Sequence, residues 1–259
     1  MNTEATYDLT FQPFPKMARL SRECIITEKL DGTNAQILIV HRDQLDFDPT
    51  ILRSDKPTPT AHFGDLTLYA GSRTRWIRPK NPGEKGDPDN YGFAAWVKAN
   101  AAELSKLGIG KHFGEWFGSG INRAYGLVNG DRRFALFNTG RWSPALGGLG
   151  GGVMDEGGYV VQCCTVVPVL YRGAFLTAEI ELTLNVLETL GSKAVPGFMK
   201  PEGIVIYHIA AGALFKKTIE GDAAPKSLPD LTNPAQLSAG VPGAKEAFQQ
   251  KVANADASN

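Results

Sequence analysis

The chain has 259 residues, 42% of them hydrophobic and 21% charged, the make-up of a globular protein with one large core or two modest ones. Lys plus Arg and Asp plus Glu balance at 27 each, which argues against a passive nucleic-acid coat but leaves room for an enzyme with a local basic groove. Cys24, Cys163 and Cys164 make no disulfide framework and no C-x-x-C metal site, residues 1–10 lack the apolar core of a signal peptide, and no run is long enough to span a membrane, so a cytoplasmic place is expected.

Short apolar runs predict strands over 24–27 and 35–40, then a Pro- and Asp-rich surface loop over 48–60 and a strand over 66–70. A second polar loop, 78–90, leads into a helix over 91–107 with Phe93, Val97, Ala101 and Leu104 on one face. Strands follow over 111–117 and 133–138. The stretch 143–158 holds a glycine run, Gly147 to Gly152, without the Gly-Lys-Ser/Thr ending of a phosphate loop and without a clear strand before it; a flexible loop is expected. A strand over 160–163 precedes a helix over 176–190, which gathers Ile180, Leu184 and Leu187 and stops at Gly191. Strands over 203–209 and 213–219 complete the series. Strands and helices without a βαβ rhythm read as α+β with mostly antiparallel sheets. The end, 221–259, is rich in Ala, Pro, Ser and Asn, with one short helix predicted over 243–253. The expected organisation is one domain, 1–226, and a flexible tail, 227–259, with no appended β-barrel (OB-fold) or helical domain.

Chemistry concentrates at Thr27-Glu28-Lys29-Leu30-Asp31-Gly32-Thr33-Asn34, between two apolar runs. Lys-x-Asp-Gly on a strand-to-strand turn can present a lysine amine to the α-phosphate of a nucleotide, forming a P–N bond as pyrophosphate leaves. The same tetrapeptide also fits an exposed lysine beside an Asp-Gly hairpin turn, and chance supplies it in roughly one chain in twenty of this length. Five further segments follow in order: Gly71-Ser72-Arg73-Thr74-Arg75-Trp76-Ile77, His112-Phe113-Gly114-Glu115-Trp116-Phe117-Gly118, Arg133-Phe134-Ala135-Leu136-Phe137-Asn138, Pro201-Glu202-Gly203-Ile204-Val205-Ile206 and Leu214-Phe215-Lys216-Lys217-Thr218-Ile219. The series resembles the covalent nucleotidyltransferase superfamily of polynucleotide ligases and capping enzymes, and within it the RNA ligases of the double-strand-sealing kind known from phages and RNA editing. The resemblance covers about residues 14–226. It implies two mostly antiparallel sheets with packed helices, the ATP-grasp-like adenylation domain of ligases, with the nucleotide held between the sheets.

The resemblance makes Lys29 the nucleophile. A lysine amine ordinarily titrates at about 10.4, so it needs a second cation nearby, a lysine of the last segment or a bound Mg²⁺, to be neutral at pH 7. Asp31 would orient the amine, and Gly32 would let the backbone turn away from the phosphate without a Cβ clash. Glu28 has two readings, recognition of the adenine edge or an exposed strand glutamate. Arg73 matches the arginine that touches the ribose and seats the nucleic-acid end. Arg75, with Arg78, Lys80 and Lys85, extends a positive stripe, for whose last three members a solvated loop is the reading preferred. Glu115 matches the carboxylate that accepts a bond from the ribose 2′-hydroxyl, and Phe137 the aromatic that stacks on the base; Asn138 stands where the family usually has Asp. Glu202 is the expected Mg²⁺ carboxylate, one or two sufficing because that ion keeps water and phosphate ligands.

The last segment departs from the superfamily's Lys-x-Lys. Lys216 as first lysine leaves Thr218 in the second place, and Lys217 points to the opposite strand face; Lys226 is a substitute to consider. The expectation is an ATP-dependent RNA ligase joining 5′-phosphate and 3′-hydroxyl ends through lysyl-AMP, with ATP and Mg²⁺ as cofactors and RNA held through Arg73, Arg75 and Arg123. The alternatives are a DNA ligase-like or GTP-dependent capping enzyme, or an idle module that binds nucleic-acid ends.

Overall fold

β-branched and aromatic residues recur at alternate positions along most of this chain, so each strand brings two faces that need cover. The structure, a computed structural model, describes residues 11, 13–14, 16–44, 58–145 and 152–220. Its strands are β1 (Glu23–Lys29), β2 (Thr33–His41), β3 (Ala61–Phe63), β4 (Leu66–Ser72), β5 (Trp76–Ile77), β6 (Gly110–Gly118), β7 (Arg132–Leu136), β8 (Ser143–Pro144), β9 (Val153–Met154), β10 (Val160–Val161), β11 (Cys164–Val166), β12 (Val169–Ala174), β13 (Gly203–His208) and β14 (Ala213–Thr218). The helices are α1 (Phe93–Ala99), α2 (Ala101–Leu104) and α3 (Thr177–Leu190). The chain divides into Met1–Ile219 and Glu220–Asn259. Past Glu220 the second unit lies outside the described residues, and with it Lys226 and the helix expected over 243–253.

The strands form three sheets. The largest runs β11-β7-β6-β2-β4-β3 with β5 on β4, the second runs β12-β1-β13-β14, and the smallest runs β10-β9-β8. Among the described residues every pairing is antiparallel except β11 with β7. The class is α+β, as expected.

α1 and α2 cover the seven-stranded sheet and α3 the four-stranded one. Phe93, Val97, Ala101 and Leu104 pack with Ile37, Ile39, Leu68, Trp116 and Phe134 on the seven-stranded sheet. The helix expected over 91–107 breaks at Asn100, whose side-chain amide donates to the Trp96 carbonyl at 2.9 Å and competes with the helix ladder. On the second sheet, Leu184 and Leu187 of α3 cover Cys24, Ile26, Ile204 and Ile206. A third cluster, Leu30, Phe117, Tyr125, Leu127, Ala135 and Val167 with Phe198 against it, forms where the chain passes from the second sheet to the first.

Three expectations need correction. β12 was not foreseen, because Arg172 and Gly173 interrupt its apolar pattern, yet it pairs along β1. The stretch 143–158 is not wholly irregular: β8 and β9 pair as its two flanks, while Gly147 to Gly151 lie outside the described residues. The strand expected over 160–163 stops at Val161 as β10, and a separate strand, β11, starts at Cys164 in another sheet. Of the loop over 48–60 only 58–60 are described, and Thr60 there is buried with its hydroxyl accepting from the Ala70 amide. The loop over 78–90 is tied internally, with Arg78 paired to Glu84, and Asp89 accepts from the Ala95 amide in the first turn of α1. No helix among the described residues is long and apolar enough to cross a membrane.

Candidate active site

β1 ends at Lys29 and β2 begins at Thr33, but the two strands lie in different sheets. Leu30 to Gly32 therefore form a crossing between layers, and the hairpin reading of Lys-x-Asp-Gly is replaced. Alternation along β1 sends Cys24 and Ile26 to the α3 side and Ile25, Thr27 and Lys29 into a cleft between the sheets. The Lys29 Nζ stands 2.5 Å from Glu202 Oε2, the two side chains 23% and 18% exposed. Glu202 is held at the mouth of β13, its carbonyl accepting from the Ile219 amide at 3.0 Å.

The crossing is tied from several sides. A Cβ on Gly32 would lie 2.4 Å from the Trp116 carbonyl oxygen, so the approach of β6 by itself requires glycine there. The Gly32 amide donates to Glu115 Oε1 at 3.1 Å. Asn122 Nδ2 donates to Asp31 Oδ1 at 2.9 Å and to the Gly32 carbonyl at 2.7 Å, and Arg123 Nε donates to Asp31 Oδ2 at 3.1 Å. The Asp31 carboxylate is thus engaged with Asn122 and Arg123, where orientation of the Lys29 amine had been expected. Arg123, expected among the RNA contacts, turns inward and also reaches the Lys200 carbonyl. Asn122 and Tyr125 escaped the sequence reading; the sign of them was the glycine-punctuated segment Gly118 to Gly126 with its Asn122-Arg123 pair, directly after the Glu115 strand.

Glu28 is not the exposed strand glutamate of one reading, and it is among the residues that line the cleft. It is 1% exposed, and its carboxylate accepts from Ser192 Oγ at 2.5 Å and from the Lys193 and Ala194 amides at 2.8 and 2.9 Å. Burial raises its pKa, against the pull of those three bonds. Its carboxylate is tied to the segment after α3, while the residue itself borders the cleft beside Lys29. Glu115 lines the cleft. Burial pushes it up to about 7, opposed by the Lys29 charge and the Gly32 amide and reinforced by Glu202.

The cleft holds about 680 Å³, enough for a nucleotide. Phe134 and Leu136 of β7 face the core, and the opposite face carries Ala135 into Phe137. Phe137 lines the cleft at 40% exposure, next to Phe113 at 46%, whose carbonyl accepts from the Phe137 amide. Asn138 accepts from the Gly140 and Arg141 amides, an Asx-turn that either Asn or Asp can make. Arg73 also lines the cleft. Arg75 donates to the Asp87 carbonyl and Lys80 to the Gly86 carbonyl, so with Arg78 on Glu84 these cations are engaged within their own loop.

Register places the last segment. Lys216 pairs with Val205 and Val205 with Thr27, and the last two line the cleft, so Lys216 stands on the cleft face of β14. Lys217 stands on the α3 face, paired with Glu181. Thr218 lies in the row of Gly203 and Lys29.

A sequence profile describing RNA ligases matches residues 22–218, from just before β1 to the last residue of β14. The chain belongs to the RNA ligase family. Solved structures of Naegleria gruberi RNA ligase variants are similar to this family member at low identity. A variant with ATP and Mn is 16% identical over 77% of this chain and 50% of that one, with a TM-score of 0.42. A variant with AMP and Mn has the same identity and coverage at 0.41, and an apo variant is 16% identical over 76% and 50%, also at 0.41. The chain therefore spans about half the length of these ligases. No curated protein sequence matches it.

Proposed function

We propose that the chain is the adenylating part of an ATP-dependent RNA ligase, working through lysyl-AMP. The observation that carries this reading is the Lys29 amine, held at the head of a nucleotide-sized cleft beside Glu202 and next to the Glu115-anchored crossing. Lys29 gives a proton to water and its neutral amine attacks the α-phosphorus of ATP; a P–N bond forms, the P–O bond to pyrophosphate breaks, and the nitrogen releases a second proton to water. An oxygen of an RNA 5′-phosphate then attacks the AMP phosphorus, the P–N bond breaks and the amine recovers both protons. A 3′-hydroxyl loses its proton as its oxygen attacks the activated 5′-phosphorus, and AMP leaves. Phe137 offers a stacking face for the base, Glu115 an acceptor for a ribose hydroxyl, and Arg73 and Lys216 positive charge toward phosphate.

A divalent ion, Mg²⁺ in this proposal, fits the donor set. Among the described residues no group of three or more His, Cys, Asp or Glu is placed to hold a metal unaided, which suits an ion held by Glu202 together with nucleotide phosphates and water. When bound it would offset the charge of the phosphates.

Incubation with labelled ATP or GTP and Mg²⁺, read on a denaturing gel, tests the reading. A covalent adduct with ATP that disappears in Lys29→Ala, whose melting temperature stays near wild type, is expected. Stronger labelling by GTP would replace the ligase reading with a capping one, and an adduct persisting at full level in Lys29→Ala would remove the nucleophile assigned here. Sealing assays on matched RNA, DNA and hybrid nicks then decide the strand.

A further inference from the structure

The segment Gly118 to Gly126 leaves β6 just after Glu115 and folds back on the lysine crossing. Its backbone is unusual. Asn122, Ala124 and Tyr125 hold φ of +40°, +54° and +54°, in a region that L-residues with a Cβ enter at a cost of about 1–2 kcal/mol each. Such strain persists only where surrounding contacts impose it, and it gathers at functional sites. Here the contacts converge on Tyr125.

Tyr125 is fully buried. Its hydroxyl accepts from the Asp31 amide at 3.0 Å and donates to the Lys29 carbonyl at 3.3 Å, so one oxygen spans the crossing from the nucleophile to Asp31. Its ring is fixed between Phe117, edge-on at 5.3 Å, and Phe198, tilted at 4.7 Å. Phe198 in turn sits on the segment that Glu28 grips through Ser192, Lys193 and Ala194. The contacts form a ring: from Glu28, through the segment after α3, to Phe198, to Tyr125, and back to the main chain of Lys29, the residue next to Glu28.

We propose that Tyr125 is a positioning residue for the Lys29 nucleophile, its hydroxyl holding the backbone on both sides of Leu30 so that the amine meets the α-phosphate in line. The inference rests on the adenylation reading above. Tyr125 touches neither nucleotide nor metal in this scheme; it acts through the Lys29 main chain. Burial raises the phenol's pKa above its ordinary value, so the hydroxyl keeps the proton it donates across the working pH range. The strained backbone supplies a reason for the arrangement: a relaxed segment would not bring a hydroxyl to both groups at once.

Tyr125→Phe removes one oxygen and keeps the ring packing. Single-turnover adenylation across ATP concentrations should show a maximal rate lower by about tenfold to a hundredfold, the usual consequence of misplacing a reacting group by an ångström. The half-saturating ATP and the final extent of labelling should stay at wild-type values. A merely structural role would instead lower the extent of labelling along with the melting temperature. A second readout needs no ATP: acetylation of Lys29 by acetic anhydride, followed by peptide mass spectrometry. The amine is shielded by its pair with Glu202, and a loosened crossing should raise its acetylation about threefold, the scale of losing one partly exposed ion pair. Phe198→Leu, which keeps the hydroxyl and removes the ring beneath it, should move both readouts the same way by less, and it decides the matter if Tyr125→Phe fails to fold. Wild-type adenylation rates and wild-type acetylation in these variants overturn the proposal. If the wild-type protein forms no adduct with ATP, the ligase reading falls, while the acetylation arm still decides the role of Tyr125.

Discussion

β1 and β14 flank β13 in one sheet, and each carries two charged residues side by side. On β1 these are Glu28 and Lys29; on β14 they are Lys216 and Lys217. In both strands one charge goes to the cleft and a structural partner takes its neighbour: Ser192, Lys193 and Ala194 for Glu28, and Glu181 for Lys217. The strands differ in depth. β1 is central and Glu28 is 1% exposed, whereas β14 is an edge and the Lys217–Glu181 side chains are 33% and 46% exposed. One geometry thus has two energetic meanings. A buried charge commits the fold to its partners, because losing them strands polar groups away from water; an edge charge can be lost to solvent at little cost.

Glu28→Ala is the strongest way to break the comparison. It strands the Ser192 hydroxyl and the Lys193 and Ala194 amides, and a loss on the order of 3–5 kcal/mol of folding stability is expected in urea titration. The preference for ATP over GTP should not change in whatever folded fraction remains. A variant with near-normal stability and altered base preference would return Glu28 to the adenine edge.

Lys216→Ala comes next. Adenylation and AMP transfer to RNA should both slow by about a hundredfold, roughly 2.7 kcal/mol of barrier, with the melting temperature unchanged, since the side chain is exposed on the cleft face and its charge is aimed at phosphate. Full activity in Lys216→Ala would mean that the cleft face of β14 is misassigned.

Much of this was legible because chemistry and periodicity coincide. Lys29, Glu115, Phe137 and Glu202 are each a distinctive residue in or at the end of a short apolar strand, and all four line or border one cleft. The opposite faces of Lys216 and Lys217 follow from the period of two. What stayed hidden is long-range. The Ser192–Ala194 segment lies 164 or more residues from Glu28, and Tyr125 is 96 from Lys29; no local pattern announces such partners. β12 was missed because Arg172 and Gly173 obscure its pattern, although pairing with β1 makes it a strand. The two-sheet crossing at Leu30 to Gly32 reads in sequence like a hairpin, and only the partners of β1 and β2 distinguish them.

The carboxylates of the motifs allow a smaller test by pH. Glu115 is raised from an ordinary 4.5 to about 7, chiefly by burial. Between those values the folded chain holds a proton that the unfolded chain has released, so this stabilisation is complete below about pH 4.5 and is lost as pH rises through about 7. The amount is on the order of 1–3 kcal/mol, and Glu28, also raised by burial, adds in the same direction. Melting temperatures at pH 5 and pH 8 should therefore fall with pH in the wild type, and Glu115→Gln should flatten part of that fall. An unchanged slope in Glu115→Gln would place the titration elsewhere.

Lys217→Ala should do least, and for that reason it sharpens the comparison most. Its ammonium meets the Glu181 carboxylate on a half-exposed surface, where water and salt can replace either partner. Stability should change by no more than about 0.5 kcal/mol. Adenylation should stay within about twofold of wild type, because the charge lies on the far side of the strand from Lys29 and its row. Placed beside Lys216→Ala, the pair isolates direction from charge: both remove one lysine from adjacent positions of the same strand, and only one should slow the chemistry. If Lys217→Ala proved the slower of the two, the register of β14 against β13 would have to shift by one residue. Thr218 would then leave the row of Gly203 and Lys29, and Lys217 would take the cleft face in place of Lys216.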